Sequence, residues 1–151
     1  MERLNLNFDN GVKEYSINGR ATLRFNPADP NVYARYVDCI EKINDIEADM
    51  RKAGNELDEN APDYAKKSLD IMCDADTKVK AMLGETFGSQ NDFNSIFDGV
   101  NVMAVAVNGK MVITNFMEMM APVLEDGAKR FVDQAVEQKQ LNRKQRRAMQ
   151  K

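Results

Sequence analysis

The stretch FNPADPNVYARYVDCIEKINDIEADMRKAG, residues 25–54, divides the chain into two parts that differ in the spacing of their apolar residues. Asp29 can cap the free N–H groups at the start of a helix, and Pro30 suits the first helical position because it has no N–H to satisfy. Apolar residues then recur every three or four positions, at Tyr36, Ile40, Ile43, Ile46 and Met50. This spacing predicts a long amphipathic helix that ends near Gly54.

The residues before this helix alternate between apolar and polar side chains, which is the pattern of half-buried β-strands. Three such runs occupy residues 4–8, 15–17 and 21–25. The turn sequences DNG (9–11) and NG (18–19) separate the runs, and Asn-Gly supplies the positive φ angles that tight hairpins require. We therefore predict a three-stranded antiparallel meander within residues 1–26.

A second long helix is predicted after the first, with Asn60 and Pro62 at its start and Gly84 as its terminator. Two long helices joined by a short polar link are expected to pack antiparallel. Residues 88–99 are then expected to form a loop around one short helical turn at 93–97.

The next segment has two competing patterns. Residues 100–113 contain apolar runs around a central Asn-Gly, which predicts a β-hairpin, whereas the residues that follow are plainly helical. A last helix is predicted from about Ile113 onward. Pro122 should kink or split this helix, because proline has no N–H to donate.

Together these patterns predict an α+β, mainly α fold. Residues 1–140 would form a single globular domain, with the meander in 1–26 and a bundle of long helices over 29–140. Residues 141–151, LNRKQRRAMQK, are predicted to be a mobile basic tail, because they contain five basic residues and no acidic one. The chain as a whole is acidic, with 21 Lys and Arg against 24 Asp and Glu.

The sequence shows no pattern of export or membrane insertion. Its first ten residues lack the apolar core of a signal peptide, and its longest apolar run, residues 102–107, is far shorter than the ~18 residues that a membrane span needs. We expect a soluble, cytoplasmic protein. Cys39 and Cys73 have apolar neighbours and no paired spacing, which favours two buried free thiols over a disulfide or metal pair.

The sequence lacks the residues that most enzyme chemistry needs. It has no histidine, which removes every His-based general base, nucleophile partner and metal ligand. None of its eight glycines falls in a phosphate-binding loop, and Asp74 and Asp76 lack the glycine and the distal glutamate of a calcium loop. We therefore expect a protein that is not an enzyme and has no catalytic residue, cofactor or metal site.

A methionine-rich segment is the first candidate partner-binding surface. Five of the ten methionines lie between residues 103 and 120. On a helix, the apolar residues from 112 to 120 cover an arc of roughly 160°, wider than the ~100° of a one-sided surface helix. Flexible thioethers suit a surface that fits several shapes, although the same residues can simply fill the core. The predicted contact residues are Ile113, Phe116, Met117 and Met120.

The basic tail is the second candidate, and its predicted contact residues are Arg143, Lys144, Arg146 and Arg147. Its helix-forming content favours folding against an acidic protein surface, whereas an arginine-rich segment that folds on RNA is the rival interpretation. No aromatic side chain interleaves with the arginines to stack on bases, which favours a protein partner. A solvated, frayed end without any partner is the third interpretation.

Four stretches of the chain carry a resemblance to a known family. They are LNLNFDNGVKEYSING (4–19), LRFNPADPNVYARYVDCIEKI (23–43), FDGVN (97–101) and NRKQRRAMQK (142–151). In pattern and order they resemble the small tail assembly chaperones of long-tailed, siphovirus-type phages and prophages of Gram-positive bacteria. The likeness extends over most of the chain and includes no catalytic motif.

The resemblance implies a non-enzymatic protein of the bacterial host cytoplasm that is absent from the finished virion. Such a protein coats the tape-measure protein, helps to recruit tail-tube subunits and forms homo-oligomers, without a membrane partner. Some relatives are also made as a longer product by frameshifting near the C-terminus. Two alternatives stay open: a small nucleic-acid-binding accessory protein that acts through the arginine-rich tail, and a structural subunit retained in the phage tail.

Overall fold

The computed structural model describes residues 1–149 and is mainly helical. In chain order its elements are β1 (Lys13–Ile17), β2 (Ala21–Phe25), α1 (Pro30–Asn55), α2 (Tyr64–Phe87), α3 (Phe93–Ile96) and α4 (Val112–Met149). The α+β, mainly α fold class is therefore confirmed. No helix in the described part of the chain is long and apolar enough to cross a membrane. Gln150 and Lys151, the end of the predicted tail, lie outside the described residues.

β1 and β2 form a two-stranded antiparallel sheet in which Ile17 lies opposite Ala21. Asn18 and Gly19 connect the strands with positive φ angles of 54° and 67°, as the Asn-Gly turn predicts. Residues along β2 alternate between buried and exposed, in agreement with the period of two in the sequence. The buried face of this hairpin packs on the helices.

The predicted three-stranded meander is wrong, because residues 4–8 form no strand. The three apolar side chains of this run are 80%, 91% and 86% exposed, at Leu4, Leu6 and Phe8. Residues 1–9 instead extend from the domain, and we call them the N-terminal arm. The chain is held where the arm joins the domain, since the side-chain amide of Asn26 donates to the carbonyl oxygen of Asn10 at 2.9 Å.

α1 begins as the sequence predicts and packs antiparallel to α2. The Asp29 carboxylate accepts a hydrogen bond from the Asn31 N–H at 2.9 Å and so caps the helix. α1 ends at Asn55, one residue beyond its predicted end. Near the start of α1, Arg35 Nε donates to the carbonyl oxygen of Thr86 at 3.1 Å, which places the end of α2 beside the start of α1.

α2 does not end at Gly84 as predicted but continues to Phe87. A glycine inside a helix costs only about 1 kcal/mol, and the burial of Leu83 and Phe87 on either side of it favours one more helical turn. Gly88, with a φ of 111°, is the residue that terminates the helix.

The predicted hairpin over residues 100–113 is reduced to a turn around Asn108-Gly109, where the Ala106 N–H donates to the Lys110 carbonyl at 2.7 Å and the Val112 N–H to the Ala104 carbonyl at 2.9 Å. The structure has a single antiparallel bridge there, between Val105 and Met111, and helix α4 begins at Val112. The predicted split of this last helix does not occur, because α4 runs through Pro122 without a break. Buried residues at 120 and 124 anchor the helix on both sides of the proline.

A cluster of phenylalanine rings lies at the centre of the core. Phe116 of α4 contacts three rings at centroid distances of 5.1 to 6.3 Å, those of Phe87, Phe93 and Phe97. Phe87 in turn packs edge-on against Phe25 of the sheet at 5.1 Å. This cluster joins the hairpin, α2, α3 and the first part of α4 into one core.

Candidate protein-binding surfaces

Three of the four apolar residues predicted to contact a partner belong to the core. Ile113, Phe116 and Met120 are only 1%, 5% and 3% exposed. A partner cannot reach them while the chain holds this fold, so the wide apolar arc at the start of α4 serves internal packing. These three residues fill the core of the single chain, in agreement with the alternative interpretation of the methionine-rich segment.

Met117 is the predicted apolar residue that remains partly accessible. It lines a cavity of about 280 Å³ between α1 and α4, together with Ile40 and Ile43 of α1. Its neighbour Met119 is exposed. This groove is small and mostly apolar, and it offers a partner much less surface than the second half of α4 does.

The second half of α4 leaves the domain as a bare helix. From residue 131 to residue 149 every position is exposed, which corresponds to roughly 28 Å of helix at 1.5 Å per residue. Residues 141–149 of the predicted mobile tail continue this helix without interruption. Their four predicted contact residues lie in its last turns, at Arg143, Lys144, Arg146 and Arg147. Within residues 1–149 none of these four forms an ion pair.

The bare helix also carries apolar residues close to the domain. Phe131, Val132 and Val136 are all exposed and recur at helical spacing. At ~100° per residue, Phe131 to Val136 cover an arc of roughly 140° that overlaps the arc of the four basic residues. Asp133 and Glu137 fall outside the apolar arc. We call this combined surface the α4 face: apolar next to the domain and basic toward the end of the chain.

The sequence contained the signal for the apolar half of the α4 face. The spacing of residues 131, 132, 135 and 136 is that of one helical stripe. The predicted apolar contact residues lie in the methionine-rich segment instead, because that segment has the wider apolar arc. Amphipathic spacing alone does not distinguish a helix that faces the core from one that stands free.

The two edges of the β-hairpin differ in their hydrogen bonding. At the β2 edge, Asn91 Oδ1 accepts the main-chain N–H of Arg24 at 2.8 Å, and Asn91 Nδ2 donates to the Arg24 carbonyl at 2.9 Å. Glu14 lies directly opposite Arg24, so its main-chain N–H and C=O point away from β2, as do those of Ser16 two residues on. In residues 1–149 no hydrogen bond satisfies these four groups. The outer edge of β1 is therefore open.

Asp76, one of the two aspartates considered for a calcium loop, has a structural role. Asp76 accepts the N–H of Val102 at 2.8 Å and pairs with Lys80 at 3.1 Å, so it anchors the connection that precedes α4. No group of three or more metal-ligating side chains occurs in the described part of the chain.

The two cysteines have different surroundings. Cys39 is buried, and burial raises the pKa of its thiol above the ordinary value, against the opposing effects of Thr86 and Lys42. Cys73 is free and exposed, so the prediction of two buried thiols holds for Cys39 alone.

No protein-family model, no curated protein and no solved structure matches this chain. Candidate binding surfaces are therefore inferred from the exposed residues of the chain itself. Three features stand out in the described residues: the N-terminal arm, the open edge of β1 and the α4 face. We regard these as the candidate protein-binding surfaces.

Proposed function

We propose that the protein is a non-enzymatic tail assembly chaperone of a long-tailed phage, which holds the tape-measure protein in the bacterial host cytoplasm and helps to recruit tail-tube subunits. The observation that carries this proposal is the α4 face, an amphipathic helix that stands clear of its own domain. A helix with an unburied apolar stripe is a typical element for binding another helix. The resemblance of the sequence to these chaperones supports the same function.

The α4 face suits a long helical client for two reasons. Its apolar residues Phe131, Val132 and Val136 can pack against the apolar stripe of a second helix. Its basic end can attract acidic residues on the client before close contact forms. Many copies that each bind weakly along one long client would coat it, since linked weak contacts add up to strong overall binding. The mechanism is holding and includes no catalytic step.

A pull-down tests this proposal. The tagged protein, whole and truncated after Gln140, is expressed together with the candidate tape-measure protein, and the captured material is analysed for protein and for nucleic acid. We expect the whole chain to capture the long helical protein and the truncated chain to capture less of it. Failure of the whole chain to capture this client would overturn the proposal.

One observation favours a second candidate function. The charges of Arg143, Lys144, Arg146 and Arg147, which form no ion pair within residues 1–149, would also suit the phosphates of RNA or DNA. A nucleic-acid-binding accessory protein would bring down nucleic acid alone, and this capture would be lost with the tail and would fall steeply with salt. If the protein is instead a structural subunit of the tail, it will be present in purified phage particles, where a chaperone is absent.

A further inference from the structure

The N-terminal arm is a strand-like sequence without a sheet. Its apolar residues alternate with polar ones, so an extended arm presents Leu4, Leu6 and Phe8 on one face and Arg3, Asn5 and Asn7 on the other. The apolar face is fully exposed in the single chain. Large apolar side chains in such a row are typical of a segment that is covered in an assembly.

The open edge of β1 can supply the strand partner that the arm lacks. The unsatisfied main-chain groups of Glu14 and Ser16 can receive one more strand, and such edges are the usual sites of strand addition. The inner face of the hairpin beside this edge is apolar. Ile17, at the end of β1, also lines a cavity of about 530 Å³ whose wall includes Val100 and Met119.

The arm does not pair with the open edge of its own chain, since residues 1–9 form no strand. The Asn26 amide that holds the Asn10 carbonyl follows the end of β2, which lies on the side of β1 opposite to the open edge. Gly11 stands between them with a φ of 72°, and a Cβ at this position would lie 2.6 Å from Asn26 Nδ2. This close approach requires a glycine at position 11, so the chain just after the arm is held beside the end of β2.

From these three observations we propose that the N-terminal arm of one copy adds as a third strand to the open edge of β1 in a second copy. The arm donates and accepts main-chain hydrogen bonds at Glu14 and Ser16. Its leucines and Phe8 then cover the apolar margin of the sheet near Ile17, and its polar face lies outward beside Glu14. The strand that is missing from the single chain is supplied by a neighbour.

This interface uses the opposite end of the chain from the α4 face and needs no client. It can therefore be tested on the purified protein alone, and its failure would leave the chaperone proposal untouched. Each copy carries one arm and one edge, so a protein in which one of the two is disabled can still provide the other. That property allows a complementation experiment.

Two variants disable one half each. In the first, Leu6→Asp places a charge on the apolar face of the arm, and because Leu6 is fully exposed the change leaves the single chain folded. In the second, Ser16→Pro removes the outward N–H of the edge, a substitution that edge strands tolerate because this N–H makes no hydrogen bond within residues 1–149. Asn7→Asp and Ser16→Ala are the matched controls, and circular dichroism verifies that all four variants are folded.

The readout is the mass in solution, measured by light scattering after size-exclusion chromatography over a hundred-fold range of concentration. We expect the unmodified chain and both controls to form dimers or larger assemblies, and each disabling variant to remain a monomer. An equal mixture of Leu6→Asp and Ser16→Pro should form a dimer, since one supplies the edge and the other the arm.

Three results would overturn the proposal. They are a monomeric unmodified chain at every concentration, an assembly that Leu6→Asp leaves unchanged, and a mixture of the two folded variants that stays monomeric. If Ser16→Pro does not fold, a synthetic peptide of residues 1–10 replaces it: the peptide should convert assemblies of the unmodified chain into monomers, and a peptide with Leu6→Asp should not.

Discussion

The side chain of Asn91 forms hydrogen bonds with both main-chain groups of Arg24, accepting from its N–H at 2.8 Å and donating to its C=O at 2.9 Å. An amide side chain thus takes the place of a neighbouring strand at one edge of the hairpin. It blocks that edge at Arg24 and fixes the hairpin to the loop after α2. Within residues 1–149 no side chain blocks the β1 edge in this way, which makes β1 the more open side of the sheet.

Replacement of Asn91 by alanine should therefore destabilise the fold. The change leaves the Arg24 N–H without a partner in a part-buried position, which costs about 1–3 kcal/mol, and removes one of the two amide donors to the Arg24 C=O, since Gln90 Nε2 also donates to that oxygen at 3.1 Å. Urea denaturation measures the loss. Asn91→Asp keeps the acceptor for the Arg24 N–H but turns a carboxylate oxygen toward the carbonyl oxygens of Arg24 and Phe87, so it should also destabilise the fold. Equal stability of Asn91→Ala and the unmodified chain would contradict the described edge.

At Gly127, α4 passes close to the chain that precedes α1. A Cβ at this residue would overlap the carbonyl oxygen of Pro27. Gly127→Ala should force the two segments apart at a cost of roughly 1–3 kcal/mol. Gly84→Ala is the matched control, because it lies inside α2 with open space around the added methyl group. That control should raise stability by about 0.5–1 kcal/mol. Thermal unfolding of both variants shows whether each substitution raises or lowers stability.

The buried thiol of Cys39 makes stability depend on pH in the alkaline range. Burial raises its pKa, so the folded chain keeps the proton to a higher pH than the unfolded chain does. The free energy of unfolding should therefore fall as the pH rises above the ordinary thiol pKa of about 8.5. Cys39→Ala should show a smaller decline over the same range in urea titrations. An identical pH profile in the two proteins would show that this thiol does not contribute.

The two cysteines should also differ in reactivity. A thiol reagent at neutral pH should label Cys73 at once, because it is exposed, and Cys39 only when the chain unfolds. Cys73→Ser should thus remove the fast phase of labelling. Rapid labelling of two thiols in the folded protein would contradict the burial of Cys39.

The two halves of the α4 face should respond differently to salt. Substitution of Phe131, Val132 and Val136 by serine should weaken client binding at any ionic strength, because apolar contact is not screened. Replacement of Arg143, Lys144, Arg146 and Arg147 by glutamine should matter mainly at low salt, since the Debye length falls from about 10 Å at 0.1 M to 3 Å at 1 M. Binding titrations at several salt concentrations measure both effects. Gln134→Ser with Glu137→Gln, on the other side of the helix, is the control.

Local patterns predicted those features that local chemistry determines. Asp29 and Pro30 start α1 where the sequence placed it, and Asn18-Gly19 forms its turn. The errors arise where contacts between residues far apart in the sequence determine the structure. Gly84 reads as a helix terminator, but the buried residues around it extend α2 by one turn.

The candidate binding surfaces also depend on contacts that local sequence patterns do not predict. Residues 4–8 have the pattern of a strand, but a strand also needs a partner edge, and these residues pair with none in the described chain. Whether an apolar stripe on α4 faces the core or stands free depends on where the domain ends along the helix. That boundary follows from the packing of all four helices and is not encoded in the spacing of α4 itself.

Solubility of the client in cells tests the central proposal most directly. The candidate tape-measure protein is expressed alone, with the unmodified protein, and with the serine variant of Phe131, Val132 and Val136, and its amounts in the soluble and insoluble fractions are compared. If the protein holds its client through the α4 face, the client should be soluble only beside the unmodified protein and should elute with it. A client that is equally soluble in all three cases, or equally insoluble, would contradict the proposed chaperone function.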